Sequence, residues 1–301
     1  MRSPTVIKKH PSARPAPASP FLKWAGGKAQ LLGQLSPLLP AEFGRYIEVF
    51  VGGGALFFHL FNLGRMAHGA ILNDLDRELI NCYRVLQDNA NVKELVALLG
   101  RHACQSMDAD YYYGIRAWDR DPHFLERRSP IQRAARMIFL NHTCFNGLYR
   151  LNSKGQFNVP YGKWAAPPTV FVEDNLLACH RALQGVELKQ ESFEACREWA
   201  RKGDFVYLDP PYVPLSRTSN FTSYTGTPFT QQDQRRLASV FERLDAIGCK
   251  VLLSNSDNAA VSELFGTDGR HIKRAVARRN INSKGAARGA IGELIVSNYP
   301  V

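Results

Sequence analysis

Apolar residues along this chain fall into two alternating patterns: short β-branched and aromatic runs, and longer stretches in which they recur every three or four positions. The short runs are "YIEVFV" (46–51), "AILND" ending at Asp74, "FVYLD" ending at Asp209, "KVLLSNSD" (250–257) and "ELIVSNY" (293–299). Runs of this length and make-up predict strands. Between them, "GGGALFFHLF" predicts a helix opening from a glycine turn, and "RELINCYRVLQ" and "PIQRAARMIFLNHT" carry the helical period. "TQQDQRRLASVFERLDAIG" predicts another helix, with Thr230 placed to cap its N-terminus. Strands alternating with helices predict an α/β fold built on a mostly parallel sheet with helices on both faces. The alternation breaks over residues 77–169, a mostly helical and basic stretch that includes a hairpin (148–161) turned at Lys154-Gly155. The expected organisation is a disordered basic tail (1–19), a sheet domain (20–76 and 170–301), and an inserted second domain (77–169).

At 301 residues and 45% hydrophobic, the chain is long and apolar enough for a full core. No apolar run approaches the roughly 18 residues of a membrane span. The first twenty residues hold five prolines and four basic side chains without the apolar centre of a secretion signal. Six cysteines are scattered with no Cys-x-x-Cys pair, which predicts reduced thiols and a cytoplasmic protein. Eight histidines lack metal-ligand spacing, so no metal is expected. The net charge of +11 is unevenly spread. Residues 1–20 carry four basic side chains and no acid, residues 127–172 seven and no acid, and residues 269–301 seven against Glu293 alone. The rest of the chain is net acidic. Three acid-depleted blocks predict a polyanionic partner.

In open α/β sheets ligands bind at the carboxyl ends of strands. At the first such end, Gly52 and Gly54 of "VFVGGGALFF" let a ligand approach the backbone at a helix N-terminus. Asp74 ends the next strand, twenty residues beyond Gly54, where its carboxylate could accept both ribose hydroxyls. A dinucleotide fingerprint wants a third glycine at position 57, where Phe57 stands. That disfavours a nicotinamide dinucleotide and leaves an adenosine ligand without phosphates, such as S-adenosylmethionine. Just ahead of the first strand, "FLKWAGGK" (21–28) offers the Trp24 ring, a close-approach backbone and the Lys28 cation in one short turn.

The stretch "DFVYLDPPY" (204–212) is the most specific. Its strand must stop at Asp209, because Pro210 and Pro211 cannot continue a ladder. An acid held there suits the exocyclic amine of a nucleobase. That amine's lone pair is delocalised into the ring and must be localised on nitrogen before it attacks. The Asp209 carboxylate and the Pro210 carbonyl, both accepting the amine hydrogens, would favour that geometry through preorganised electrostatics. Pro211 sets the carbonyl direction and Tyr212 can stack on the base, which must first leave the duplex. The same acceptors suit N6 of adenine and N4 of cytosine. A non-catalytic DNA-binding protein would account for the charge, yet would not need an intact Asp209-Pro210-Pro211-Tyr212.

Taken in order, these stretches resemble those of the Dam-type (D12-class, α-group) DNA adenine-N6 methyltransferases. The likeness continues through "FNGLYRLNSKGQFNVPYGKW" (145–164), "VPLSRTSNFTSY" (213–224) and "RRNINSKGAARGAIGELIVSNY" (278–299), and covers nearly everything after residue 19. The resemblance implies a Rossmann-like S-adenosylmethionine-dependent methyltransferase sheet with an inserted target-recognition domain. It implies action on double-stranded DNA, without metal or membrane, by a monomer associated with the nucleoid. Trp24 and Lys28 would contact S-adenosylmethionine, with Phe50 by its adenine, Gly52 and Gly54 in the turn, and Asp74 on its ribose. Asp209 would hold the target amine and Tyr212 would stack on the flipped adenine. Phe145 stands where the family usually has a Tyr that wedges into the duplex, and Asn146 follows it. Leu148, Arg150 and Pro160 match positions with which GATC-specific members read bases, and Lys23 matches their contact to the first guanine. An Arg among apolar and small polar residues suits a major-groove guanine, or else a phosphate. Ser216 and Asn220, in the loop after Tyr212, would close over the DNA.

Overall fold

The computed structural model describes residues 15–24, 26–211, 229–267, 269–278 and 290–301. Its seven strands are β1 (Tyr46–Glu48), β2 (Ala70–Asn73), β3 (Glu187–Lys189), β4 (Phe205–Leu208), β5 (Lys250–Ser256), β6 (His271–Arg278) and β7 (Ala290–Ser297). They form one sheet in the order β3-β2-β1-β4-β5-β7-β6. The first five are mutually parallel, with Tyr46 beside Ala70 and Phe205, and Phe205 beside Lys250. β7 runs antiparallel between β5 and β6. The predicted mostly parallel α/β sheet is therefore found.

Side chains alternate across this sheet as strand geometry demands. Tyr46, Leu72, Phe205, Tyr207 and Leu252 join a buried cluster on one face. Ile47, Ile71, Val206, Leu208, Val251 and Leu253 join another on the opposite face. All four residues of β4 are buried, which is why its run is continuously apolar rather than alternating. Fully burying each such side chain contributes about 1.5–3 kcal/mol.

Helices cover both faces. On the first face lie α1 (Leu32–Leu35), α2 (Ala55–Asn62), α3 (Arg77–Gln87), α4 (Asn89–Cys104) and α5 (Ala109–Arg116), while the short α6 (Phe124–Arg127) buries no residue and sets its Phe124 ring against the Arg136 guanidinium. α7 (Pro130–Thr143) and α8 (Glu173–Ala182) complete that side, and one apolar cluster runs from the sheet through α2, α3, α4, α7 and α8. α9 (Cys196–Trp199), α10 (Gln231–Ile247) and α11 (Ala259–Phe265) cover the other face. α10 begins where the capping pattern predicts: Thr230 accepts from the Asp233 amide, and the Asp233 carboxylate accepts from Thr230 in return. Leu237, Val240, Phe241 and Leu244, spaced three and four apart, form its buried stripe. α7 has the same reciprocal cap from Ser129 and Gln132, with Pro130 at its first turn.

Three details differ from the sequence reading. β1 stops at Glu48, and the remainder of "YIEVFV" bends into the glycine turn. The predicted hairpin keeps its turn at Gly155 (φ +72°), but its arms form no continuous ladder: the isolated bridge of Leu151 with Phe157 joins them, and Tyr161 bridges to Cys144, ahead of the first arm. Ala18 and Ser19, assigned to the tail, are anchored: the Ala18 amide donates to Asn62 and the Ser19 amide to Asn175.

Candidate active site and nucleic-acid interface

The adjacency of β2, β1 and β4 brings three carboxyl-bearing strand ends together. Asp74 follows β2, Glu48 ends β1 and Asp209 follows β4. The turn after β1 is shaped by Gly52 (φ +46°) and Gly54 (φ +67°), left-handed conformations that favour glycine. Space excludes side chains there as well. A Cβ on Gly52 would lie 2.6 Å from the Trp24 ring, and one on Gly54 2.6 Å from the Tyr83 hydroxyl. That hydroxyl donates to the Gly52 carbonyl at 3.0 Å.

Asp74 is held by two backbone amides, Gly52 to one oxygen and Asp76 to the other, each at 3.0 Å. Burial outweighs these bonds and raises its carboxyl to about 6. Asp76 caps α3 through the Leu79 amide and accepts the Tyr149 hydroxyl at 2.7 Å. The Tyr149 ring stacks on Trp24, centroids 4.9 Å apart. Phe50 is half-buried beside Phe193 and Phe229. A glycine turn with no room for a Cβ, an acid at the neighbouring strand end and flanking rings fit an adenosine-bearing cofactor without phosphates.

Lys28 begins a single turn of 3-10 helix and is buried. Its ammonium lies 2.7 Å from Asp209 Oδ1, 3.0 Å from Glu293 Oε1 and 3.2 Å from the Gly26 carbonyl. Burial lifts the Asp209 carboxyl to about 6; Lys28 opposes that rise and Glu293 adds to it. Glu48, also buried, is lifted to about 8 by its burial, with the Tyr46 hydroxyl donating to it at 2.9 Å. The sequence reading passed over Glu48 and took Glu293 only as one acid in a basic block. The signal was present: each is a carboxylate inside an apolar strand run, where burial forces it to find a partner. Tyr149 and Asp76 gave no such signal, because their contact joins segments 73 residues apart. Tyr212, Ser216 and Asn220 lie outside the described residues.

The candidate DNA-reading residues gather at the junction of the "FLKWAGGK" segment with the end of α7. Asn141 of α7 clamps Lys23 from both sides, accepting from its amide at 2.7 Å and donating to its carbonyl at 2.9 Å. The Lys23 stem packs on Gly147, and its ammonium lies 5.7 Å from the Trp164 ring centroid. Phe145 is 38% exposed, and its amide donates to the Pro160 carbonyl at 2.9 Å. Asn146 (φ +55°) is the non-glycine residue in the left-handed region among those described. Leu148 is half-buried, and Pro160 is exposed. Arg150 donates from Nε to the Asn158 side chain at 2.6 Å and from Nη2 to its carbonyl at 3.2 Å, which orients the guanidinium plane.

Sequence comparison decides the family. The profile of the D12 class N6 adenine-specific DNA methyltransferases matches residues 24–281. The chain belongs to that family. Members similar to it include the type II methyltransferase M1.LlaDCHI of Lactococcus lactis subsp. cremoris, 42% identical over 93% of this chain and 95% of that protein. The type II methyltransferase M.MjaIII of Methanocaldococcus jannaschii is 41% identical over 93% and 99%. The DNA adenine methylase of Haemophilus influenzae is 34% identical over 92% of each. This D12-class enzyme transfers a methyl group from S-adenosylmethionine to N6 of adenine in double-stranded DNA. The N4-cytosine and non-catalytic alternatives are set aside accordingly. No helix among the described residues is long and apolar enough to cross a membrane.

Proposed function

We propose that this methyltransferase modifies the adenine of GATC, with Asp209 and the Pro210 carbonyl orienting the target amine. The observation that carries the catalytic part is the position of Asp209 at the end of β4, in one array with the Gly52–Gly54 turn and Asp74. Trp24, Lys28, Phe50, Gly52, Gly54 and Asp74 would hold the cofactor, which supplies an electrophilic methyl group when bound. Asp209 accepts the amine hydrogens and draws the lone pair onto nitrogen. Pro210 adds a second acceptor whose direction Pro211 restricts. Tyr212 stacks on the flipped base. Lys28 sits on Asp209 until the amine arrives.

For the target sequence, support comes from the clustering of Lys23, Gly147, Phe145 and Pro160 at one junction, with Leu148 and Arg150 next along the chain. Residues 77–169 would form the recognition domain, and residues 20–76 with 170–301 the catalytic domain. The protein would work as a monomer on nucleoid DNA. Mapping N6-methyladenine in DNA from cells that express the protein tests the sequence assignment. Methylation confined to GATC is expected, and a different recurring motif overturns it.

A further inference from the structure

Of the groups that meet at the strand ends, Glu293 is the one the reading above does not use. It lies on β7, across from Ser256 of β5 and Ala275 of β6, and is 1% exposed. The Ser254 hydroxyl donates to its Oε1 at 2.7 Å, and the same oxygen lies 3.0 Å from the Lys28 ammonium. An ammonium has three donors. Among the described residues the Lys28 ammonium meets Asp209, Glu293 and the Gly26 carbonyl.

We propose that Glu293 is a positioning residue for methyl transfer: it holds the Lys28 ammonium beside Asp209 and keeps that cation paired when Asp209 turns to the target amine. The proposal rests on the reading of Asp209 as the amine's acceptor. A cation paired with Asp209 alone would compete with the incoming amine for the oxygen, and separating the pair in a buried site is costly. A second carboxylate already in contact changes that balance. Lys28 can yield Asp209 Oδ1 and remain neutralised by Glu293, and Ser254 keeps Glu293 from following. The arrangement leaves Asp209 ionised by a nearby cation without locking it.

Among the described residues, the charged and titratable groups around Asp209 are Lys28, Glu293, Tyr207 of β4, and Glu48 and Tyr46 of β1. Asp74 lies beyond Glu48, and Asp257 and Arg274 pair with each other beside Gly292. Lys28 is the cation in direct contact with Asp209 among these, and Glu293 the anion sharing it. Removing the negative charge of Glu293 therefore makes Asp209 easier to ionise, and takes away the second carboxylate in contact with Lys28.

The test is the single-turnover methyl-transfer rate against pH, on genomic DNA from a host without N6-methyladenine, for wild type and variants. Glu293→Gln should slow transfer by about tenfold or more at neutral pH and move the acid limb of the profile to lower pH. S-adenosylmethionine binding, measured by calorimetry, should change by less than about threefold, within the 0.7 kcal/mol that such a ratio represents. Glu293→Asp should recover part of the rate. Ser254→Ala should move the limb the same way by less, and it serves if Glu293→Gln does not fold. An acid limb unmoved in both the Glu293 and Ser254 variants overturns the proposal, whatever the loss of rate. Asp209→Ala separates the two levels of the reading. If that variant still transfers methyl groups, the assignment of Asp209 fails; if it is inactive while the limb stays unmoved, only the role of Glu293 fails.

Discussion

Asp209, Asp74 and Glu48 sit at the ends of three neighbouring strands, and burial raises the carboxyl of each. Their consequences differ with their partners. Asp209→Ala removes the acceptor proposed for the target amine and should abolish transfer while leaving cofactor affinity largely intact; retention of about a tenth of wild-type activity would count against it. Asp74→Ala, and separately Trp24→Ala, should weaken S-adenosylmethionine binding by about 1–3 kcal/mol, through loss of a charged acceptor or of a ring contact. Calorimetry decides this. Asp74 must be ionised to accept fully, so the wild-type affinity should fall as pH drops through about 6. Glu48 acts on stability instead. Its folded carboxyl at about 8 lies above the ordinary 4.5, so the folded state holds the extra proton between those values. Stability from this group is present at low pH and is lost as pH rises through about 8. Glu48→Gln, which keeps an acceptor for the Tyr46 hydroxyl, should flatten the fall seen in denaturant titrations across that window. An unchanged slope would show that Glu48 ionises freely.

The segment 148–161 has few ladder bonds of its own and is held by its neighbours. The Val159 carbonyl accepts from Tyr112 and Arg116, the Phe157 amide donates to Asp119, and Asp119 pairs with Arg136 of α7 at 2.7 Å. Clamped this way, the proposed recognition element presents Arg150 in a set direction. Arg150→Ala should relax preference at one base pair of the target, worth about 1–3 kcal/mol, so that near-cognate sites are methylated relatively better. Rates on the target and its single-base variants check it, and equal slowing on every site would mark Arg150 as a phosphate contact. The strand ends that carry Asp74 and Asp209 were legible in the sequence because continuous apolar runs stop there. β3 and β6 were not. β3 has three residues, exposed or half-buried, and β6 carries Ile272 and Val276 on its exposed side among basic residues. Neither offers a buried run, and pairing with β2 or β7 is what makes each a strand. The ion pair that joins Lys28 to Glu293, 265 positions apart in the chain, was illegible for the same reason: nothing local encodes it.

Across the whole molecule, basic residues collect in three acid-depleted blocks while the rest of the chain is net acidic. DNA affinity should fall steeply with salt, because each phosphate contact releases counterions. Deleting residues 1–14, which hold the four basic side chains of the first block, should lower the log–log salt slope modestly and leave sequence choice intact. Anchoring of Ala18 and Ser19 sets that truncation point. A flat salt response would argue against phosphate-led binding. The sheet order carries one more consequence. β7 follows β6 in the chain yet lies inside it, against β5. On the ribosome, β6 therefore emerges before β7, its partner strand among the described residues, and must wait beside a gap. Glu293 arrives with the strand that fills this gap. A nascent chain that already displays the glycine turn, Asp74 and Asp209 still lacks the second carboxylate that Lys28 contacts, so the charge array around Asp209 is complete only when the sheet closes.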